Sequence, residues 1–330
     1  MITDTYIDYI LCVRRYSART AEIYAAALDC FVSFAAAGSS DEEILAALTP
    51  SSVRNWEVYL MDEKKLDPRT VGTYLSVLSG FCKFLVKDGK LQANPVRLVI
   101  RPKTPKRLPT FYRDTSMEDY FASTEHYVNE EALQFLQGFG PDAYKDKTAV
   151  SYYEARLRRL IVSLLFNTGM RRSELLSLTC ASLDIGRKVI KVHGKGDKMR
   201  EIPLVDSLCK EILLYLQSVE TMTGLQNASD RPLLVTAKGK SLYPVYVDRA
   251  VKSELGGIGS ITGRKSPHVL RHTLATELLN GGTDLNSIKE LLGHSSLAAT
   301  QVYTHNSIEK LKNVYETAHP SAKSGENHGD

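Results

Sequence analysis

The chain of 330 residues is long enough for two domains of unequal size, and its 43% hydrophobic and 24% charged residues are typical of a globular protein. No segment is apolar over the length needed to cross a bilayer, and the first residues lack the charge order of a secretory signal, so we expect a cytoplasmic protein that binds no membrane. The net charge of +4 excludes a strongly acidic or strongly basic chain, but local clusters of arginine and lysine leave room for a polyanionic partner.

The first hundred residues contain three segments with helix start signals. Ser17 is a capping residue before the first segment, and Thr49, followed by a proline, begins the second. The third has Asp67 as its cap, a proline in its first turn and Gly89 at its end. Apolar side chains recur on one face of the second and third segments. We therefore predict a compact helical domain.

A basic, proline-rich segment follows at residues 94–110, and its central part, residues 101–110, is the predicted linker. The prolines forbid a regular helix and favour an extended chain. A solvated hinge and a strap along a phosphate backbone both fit this composition. In the second case its cations contact nucleic acid: Arg101, Lys103, Lys106 and Arg107.

Beyond the linker, the pattern predicts further helices and one β-hairpin. Helical segments are expected at about residues 115–138 and again up to a stop at Gly169. Two short β-forming runs flank the glycine-containing turn at residues 194–198. Helices return through residue 317, and the polar tail is expected to be disordered.

These elements predict a mainly α fold with a small antiparallel β-hairpin. The expected division is a helical domain at 1–100, a linker at 101–110, a second domain at 111–318 and a disordered tail at 319–330.

Two segments of the second domain have an unusual density of polar side chains at helix starts. In TGMRRSELLSL, Arg171 stands in the first turn after a glycine, and Glu174 lies three residues further on, where it can orient the guanidinium. In SPHVLRHTLAT, a serine and a proline start a helix that places His268, Arg271 and His272 on one face. Histidine and arginine donors at a helix N-terminus form an anion site, and phosphate is the obvious anion.

Zinc binding by His268 and His272 is the alternative interpretation of this helix. Arg271 lies between the two histidines and would repel a cation, and no glutamate is present there to act as a base. The cysteines are odd in number and form no CxxC pair, which argues against a disulfide framework and against a thiolate metal site. We predict no metal and no cofactor. We expect the cysteines to be small buried side chains: Cys12, Cys30, Cys82, Cys180 and Cys209.

Three further polar residues have an ordinary structural explanation when each is taken alone. Lys195 lies between glycines at the hairpin tip, and His294 follows a glycine in a loop. Tyr303 follows Leu297 and Thr300 at intervals of three residues, a spacing typical of a packed helix. Together with the arginines and His268, however, they are the side chains that phosphoryl transfer to a tyrosine needs. No carboxylate cluster for magnesium accompanies them.

The order of four motifs resembles the tyrosine recombinase family, most closely its XerC/XerD branch of bacterial site-specific recombinases and related integrases. The motifs are TGMRRSEL, HGKGDKMREIPL, HVLRHTLAT and LLGHSSLAATQVYTH, and they span residues 168–305. The helical N-terminal domain and linker are similar in length and character to the core-binding domain of that family. The resemblance implies a SAM-like core-binding domain followed by an α+β catalytic domain with the DNA breaking-rejoining fold.

The resemblance also implies a site-specific recombinase that acts through a 3′-phosphotyrosyl intermediate without metal or ATP. The implied catalytic residues are Arg171, the first arginine; Lys195, the hairpin lysine; His268 and Arg271, the His-x-x-Arg pair; His294, the second histidine; and Tyr303, the nucleophile. Glu174 is the implied orienting partner of Arg171. Met170 and Arg172 stand where the family often has aliphatic residues, and neither is a catalytic position.

The implied partner is a double-stranded DNA recombination site held in a clamp between both domains. We expect the helix after Asp67 to enter a major groove. Apart from the linker cations, the expected DNA contacts are Arg69, Thr70, Tyr74, Arg172, Lys198, Arg200 and His272. The segment after Tyr303 resembles the C-terminal helix of the family, which docks on a neighbouring copy or on a paralogous recombinase in a tetramer on two sites. Packing within its own subunit is the alternative.

Two other classes of function fit part of this pattern. A type IB topoisomerase or a telomere-resolving enzyme uses the same chemistry on one duplex. A non-catalytic architectural DNA-binding protein would keep the clamp but would not need Tyr303, Lys195 and both arginines together. Dimer resolution in chromosome segregation, inversion and integration of a mobile element use the same catalytic residues, so the sequence leaves the choice among them open.

Overall fold

The computed structural model describes residues 1–35, 40–103, 111–194 and 199–293. The chain forms two compact units, Met1–Arg107 and Leu108–Asp330. Each unit has its own hydrophobic core, and each is considered separately below.

The described part of the first unit contains five α-helices, two of which continue into a turn of π-helix. Their bounds are α1 Ile2–Asp8 with the π-turn Tyr9–Val13, α2 Ala18–Ala35, α3 Asp41–Ala47, α4 Pro50–Val58 with the π-turn Tyr59–Glu63, and α5 Pro68–Lys87. The apolar faces of these helices meet in one core, where the ring of Trp56 packs edge-on against Phe31 at 5.1 Å between centroids.

The predicted start signals of this unit are confirmed. The hydroxyl of Thr49 accepts a hydrogen bond from the backbone N–H of Ser52 at 3.1 Å. The carboxylate of Asp67 accepts from the N–H groups of Arg69 and Thr70 at 2.9 and 3.2 Å. These side chains supply acceptors for N–H groups that the first turn of a helix leaves unpaired.

The same chain reversal occurs twice in this unit, 50 residues apart. Arg15 and Lys65 both adopt the left-handed conformation with φ of 52°, one after each π-turn. The N–H of the next residue then donates a hydrogen bond to a carbonyl of the preceding π-turn. Tyr16 donates to Ile10 at 2.9 Å, and Leu66 donates to Leu60 at 3.0 Å. The two halves of the first unit therefore use one turn geometry.

The start of the proline-rich segment differs from the predicted extended chain. Residues Pro95–Leu98 form one turn of 3-10 helix, capped by the side chain of Asn94, which accepts from the N–H of Val96 at 3.1 Å. Proline is tolerated at the first position of a helix because the N–H it lacks has no intrahelical partner there. Residues 104–110 lie outside the described part.

The second unit is also mainly helical. Its described α-helices are α6 Asp114–Ser123, α7 Glu130–Gln137, α8 Lys147–Thr168, α9 Arg172–Leu176, α10 Asp206–Thr223, α11 Pro244–Glu254, α12 Pro267–Asn280 and α13 Leu285–Leu292. The central element is α8, which is buried along most of its length and packs against α10, α11 and α12. The start of α9 follows closely on the end of α8 in the chain, and the polar motifs begin at this junction.

One predicted helical segment is divided in the structure. Residues 115–138 form α6 and α7, joined by a 3-10 turn at Glu125–Tyr127. The hydroxyl of Thr124 bonds to the carbonyl of Tyr120 at the end of α6. Asn129 then accepts from the N–H of Ala132 at 2.8 Å and caps α7. Short polar side chains that bond to the nearby backbone favour such a break.

The predicted hairpin is confirmed as part of a three-stranded antiparallel sheet in the order β1-β2-β3. The strands are β1 Leu183–Asp184, β2 Val189–His193 and β3 Met199–Pro203. The pairing register joins Val189 to Pro203 and His193 to Met199. Strand β1 was not predicted because its two residues are too few to show an alternating pattern.

The cysteines are only partly as expected. Cys82 and Cys209 are buried, Cys30 and Cys180 are half-buried, and Cys12 is exposed, so the expectation of a buried side chain is wrong for Cys12. Cys12 lies in the π-turn that follows α1. Among the described helices, none has both the length and the apolar character to span a bilayer.

Gly169 ends α8, and we expect its replacement by alanine to lower the free energy of unfolding by about 2–4 kcal/mol. Its φ of +59° disfavours an L side chain. A Cβ atom there would also lie 2.6 Å from Leu292 and 3.0 Å from Leu274, both of which are buried. Denaturant unfolding of Gly169→Ala measures the loss.

Gly224→Ala is the matched control, because Gly224 ends α10 with φ of +67° and has open space around the added methyl. Only the backbone term of about 1–2 kcal/mol should apply there. Equal losses in the two variants would contradict close packing of α8 against Leu292 and Leu274.

Candidate active site

Polar side chains from α9, β3 and α12 converge on the last turn of α13. Arg171 immediately precedes α9, and Glu174 lies within it. Arg200 comes from β3, and Arg271 comes from α12. These four side chains and the backbone around Gly293 form the candidate active site.

Each of three arginines donates a hydrogen bond to a different carbonyl at the end of α13. The Nε of Arg200 donates to the carbonyl of residue 291 at 2.9 Å. The Nη2 of Arg271 donates to that of residue 292 at 2.6 Å, and the Nη2 of Arg171 to that of Gly293 at 3.0 Å. The last carbonyls of a helix lack intrahelical partners and carry the negative end of its dipole, so cations are favoured there.

Glu174 links two of these arginines. Its carboxylate lies 2.7 Å from Nη1 of Arg171 and accepts two bonds from Arg200, at 3.0 and 2.9 Å. It also accepts from the backbone N–H of Arg171 at 2.8 Å. Burial alone would raise the pKa of Glu174, but the bonds from Arg200 and Arg171 outweigh burial, and the pKa lies below its ordinary value. The carboxylate is therefore ionised at neutral pH.

Arg271, like Arg200, is a buried cation of the site. Its side chain is buried, and Nη1 donates to the carbonyl of Gly169 at 2.5 Å. Burial, followed by the positive charges of Arg171 and Arg200, lowers the pKa of Arg271 to about 10. It remains protonated at neutral pH. Among these four side chains, three cations face one carboxylate, so the cluster favours an added anion.

His268 lies one turn before Arg271 on α12 and is exposed, as is His272. Partial desolvation lowers the pKa of His268, and the neighbouring charges of His272 and Arg172 lower it further. The imidazole is therefore neutral at pH 7 and can accept a proton. Among the described residues, no group of three or more histidine, cysteine or acidic side chains is arranged to hold a metal ion.

The structure brings together Arg171, Glu174 and Arg271 from the predicted site, and His268 lies one turn before Arg271 on α12. The remaining predicted catalytic residues lie outside the described part of the chain: Lys195, His294 and Tyr303. The same is true of three predicted DNA contacts: Lys106, Arg107 and Lys198.

The predicted DNA contacts of the first unit differ in how available they are. Arg69 and Lys103 are exposed. The hydroxyl of Thr70 donates to Asp67 at 2.6 Å as part of the helix cap. Tyr74 is half-buried and stacks on Trp56. The guanidinium of Arg101 donates to the hydroxyl of Ser76 at 2.9 Å and is itself exposed.

Two predicted DNA contacts of the second unit are engaged with acidic side chains. Arg172 forms an ion pair with Asp248 and stays partly exposed. Arg200 has a side chain that is 5% exposed and paired with Glu174, so the structure contradicts a direct DNA contact for this residue.

Arg200 was expected to contact DNA with the other cations, and its buried position was not predicted. The alternating pattern of β3 contains the missing signal. Arg200 is two residues before the apolar Ile202, and side chains at that spacing share one face of a strand. Both are buried. An arginine on the inward face of a strand needs an ionic or hydrogen-bonding partner inside the protein.

Comparisons with protein families match both units of the chain. The model of the Phage integrase family matches residues 142–310, which is half of the chain. The model described as Phage integrase, N-terminal SAM-like domain, matches residues 3–89.

Comparisons with individual proteins agree with the family models. A protein named Tyrosine recombinase XerC from Bacillus pumilus is 34% identical over 338 residues, covering 97% of this chain and 97% of the relative. A protein of the same name from Chlorobaculum parvum is 31% identical over 326 residues, covering 97% and 94%.

Two solved structures of similar fold are complexes with DNA. The integrase of transposon Tn1549, in complex with transposon right end DNA, is 21% identical with a TM-score of 0.62, and the match covers 98% of each chain. The XerH site-specific recombinase bound to its difH substrate is 23% identical with a TM-score of 0.59, covering 92% of this chain and 81% of the other. These likenesses show the fold.

Proposed function

The chain belongs to the phage integrase family of tyrosine site-specific recombinases, and from this premise we propose that it breaks and rejoins DNA strands through a covalent link between Tyr303 and a 3′ phosphate. The observation that carries the proposal is the cluster of Arg171, Arg200 and Arg271 around a single carboxylate, Glu174. Such a cluster suits an anion that gains charge during reaction, as a phosphodiester does when a nucleophile attacks it.

In the proposed reaction, Arg171 and Arg271 stabilise the pentacovalent phosphorus. We assign Arg171 and Arg271 to the nonbridging oxygens of the scissile phosphate, because a guanidinium presents its donors in a planar fork that matches such oxygens. His294 adds a further donor. Removing one such donor from a preorganised site costs roughly 3 kcal/mol of transition-state stabilisation. Fixed cations therefore take the place of a metal ion.

Proton transfer requires a base near the nucleophile and an acid near the leaving group. The hydroxyl of Tyr303 has an ordinary pKa near ~10 and reacts only when its proton is removed. His268, neutral at pH 7, accepts that proton. Lys195 donates a proton to the departing 5′ oxygen.

We expect the rate of covalent adduct formation to fall in acid as His268 becomes protonated. Because the pKa of His268 is lowered, this fall begins below the ordinary imidazole value of ~6.5. His268→Gln should slow cleavage by roughly 10²–10⁴-fold and should abolish the fall in rate at low pH. Single-turnover rates measured from pH ~5 to ~8 test this expectation.

His126→Gln is the matched control for that series, since His126 is an exposed histidine of the same unit that lies outside the site. Its pH profile should equal that of the unsubstituted protein. If the rate of His268→Gln still falls at low pH as in the unsubstituted protein, the base is another group.

The phosphotyrosyl link conserves the energy of the broken bond. The 5′ hydroxyl of a second strand can therefore attack the link and reseal the DNA without ATP. Exchange between two duplexes requires two sites with a cleaving subunit on each strand, and hence a tetramer. We assign its assembly to the segment after Tyr303, which docks on a neighbouring copy or a paralogous recombinase.

DNA is held by both units in this proposal. Exposed cations of the first unit, Arg69, Arg101 and Lys103, contact phosphates, together with the linker cations Lys106 and Arg107. In the second unit, Arg172, Lys198 and His272 extend the contact surface. Binding that rests on phosphate contacts weakens steeply as the salt concentration rises.

The experiment that tests the function is covalent trapping on a nicked recombination site selected from bound oligonucleotides. A nick next to the scissile phosphate lets the short strand diffuse away, so the phosphotyrosyl adduct accumulates and is seen on a denaturing gel. We expect an adduct at the same rate with and without EDTA, because arginines rather than a metal stabilise the phosphate. DNA binding without an adduct would contradict the proposal, and supercoil relaxation without recombinant product would assign the chemistry to a topoisomerase instead.

A further inference from the structure

We propose that Arg200 is a positioning residue of the active site, which holds Glu174 and the last turn of α13 in place without touching DNA. The inference rests on the proposed function, because it assigns Arg200 a role behind Arg171, one of the arginines that bind the scissile phosphate.

The guanidinium of Arg200 uses three donors to join two elements. Its Nη1 and Nη2 donate to the two carboxylate oxygens of Glu174 on α9, at 3.0 and 2.9 Å. Its Nε donates to the carbonyl of Leu291 on α13, at 2.9 Å. With 5% of the side chain exposed, these groups are enclosed by protein. A planar fork of this kind fixes both partners in orientation as well as distance.

Because Glu174 is shared with Arg200, it neutralises only part of the positive charge of Arg171. The carboxylate oxygen that lies 2.7 Å from Nη1 of Arg171 also accepts from Nη1 of Arg200. One negative charge is thus divided between two guanidinium groups, and Arg171 keeps much of its attraction for an external anion. Without Arg200, Glu174 and Arg171 would form a one-to-one ion pair, which competes with the phosphate for the guanidinium.

Arg200 also packs under the turn that follows α13. Gly293 has φ of +65°, and a Cβ atom there would lie 3.0 Å from Nη1 and 3.2 Å from Cζ of Arg200. The carbonyl of the same glycine accepts from Arg171. Gly293 directly precedes His294 in the sequence. Arg200 therefore supports the backbone from which a proposed phosphate ligand departs.

The test compares DNA affinity with the rate of cleavage in Arg200→Met, a variant of similar length without donors. We expect the affinity for the nicked site and its salt dependence to stay unchanged. The single-turnover rate of adduct formation on fully bound DNA should fall about 10–100-fold, as is typical when an orienting partner is lost. Arg200→Lys should recover only part of the rate, because one ammonium group cannot reach both carboxylate oxygens and the carbonyl together.

Two further variants separate positioning from general stability. Arg231→Met removes another buried arginine of the same unit, one that donates to backbone carbonyls of its own loop, and it should cleave at the unsubstituted rate wherever it is folded. Glu174→Gln combined with Arg200→Met should be no slower than the slower single variant, because both act through one contact. If melting curves show Arg200→Met to be unfolded, Arg200→Lys and Glu174→Gln decide the question by the same two measurements.

The outcomes are distinguishable from those of the function itself. A lower affinity with a salt slope reduced by about one, and an unchanged rate on bound DNA, would show that Arg200 contacts a phosphate. A folded Arg200→Met with unchanged rate and affinity would show that it has no role in cleavage. In both cases the unsubstituted protein still forms the adduct, whereas failure of the proposed function means that it forms none.

Discussion

Replacing Tyr303 by phenylalanine should abolish the covalent protein–DNA adduct while DNA binding stays unchanged. The variant lacks only the phenolic oxygen, which in the proposed mechanism forms the bond to phosphorus. A phosphotyrosyl link requires a tyrosine oxygen, and phenylalanine supplies none. The measurement is adduct yield on the nicked site under denaturing conditions, with a mobility-shift titration for binding.

Tyr315→Phe is the matched control for that experiment. Tyr315 lies 12 residues later in the same C-terminal segment, and its replacement removes the same hydroxyl group. It should leave the adduct yield intact. An adduct that persists in Tyr303→Phe and disappears in Tyr315→Phe would move the nucleophile to Tyr315.

Replacing Arg271 by lysine should lower the single-turnover rate of adduct formation by roughly 10²–10³-fold, even though the charge is kept. The guanidinium donates to the Gly169 and Leu292 carbonyls at the same time, at 2.5 and 2.6 Å, and this double contact fixes the plane and position of the group. A lysine ammonium is a point donor on a flexible stem and cannot reproduce that geometry. Rates on saturating DNA, measured by rapid quenching, report the loss.

Arg231→Lys controls for the cost of placing a lysine at a buried arginine position. Arg231 donates to the carbonyls of Gln226 and Pro232, away from the candidate site, and its replacement should affect unfolding more than cleavage. If Arg271→Lys cleaves bound DNA at the unsubstituted rate, Arg271 contributes to the fold and not to the transition state.

Local signals predicted most of the helices. Asp67 and Thr49 start helices where the sequence indicates caps, and Gly169 ends α8 in the left-handed conformation. These features depend on residues within one or two turns of each other, so a single sequence contains them. The pairing of β2 with β3 was predictable for the same reason, because only residues 194–198 separate the two strands in the sequence.

Contacts between distant parts of the chain were less predictable. The bond from Arg200 to Glu174 joins residues 26 positions apart, and the bond from Arg271 to Gly169 joins residues 102 apart. No local pattern selects such partners. The order of the motifs predicted one site for Arg171, Glu174, His268 and Arg271, and the structure places Arg171, Glu174 and Arg271 around the end of α13. The sequence did not predict that Arg171, Arg200 and Arg271 would all donate to carbonyls at the end of α13.

The roles of Lys195, His294 and Tyr303 remain predictions from the motifs. Each of the three has an ordinary structural explanation in its own segment, and only their combination with the arginines indicates phosphoryl transfer. Two local predictions were wrong: Cys12 is exposed, and the predicted helix at residues 115–138 is divided. There, composition alone was too coarse to predict burial or a helix break.

The three guanidinium groups gathered at the end of α13 carry a further consequence for the life of the protein. Enclosing like charges side by side disfavours the native state, as the lowered pKa of Arg271 reflects. A ligand that binds only the folded form shifts the unfolding equilibrium toward it. We therefore expect bound DNA to stabilise the folded protein, and proteases to cut the free protein faster than the DNA-bound protein.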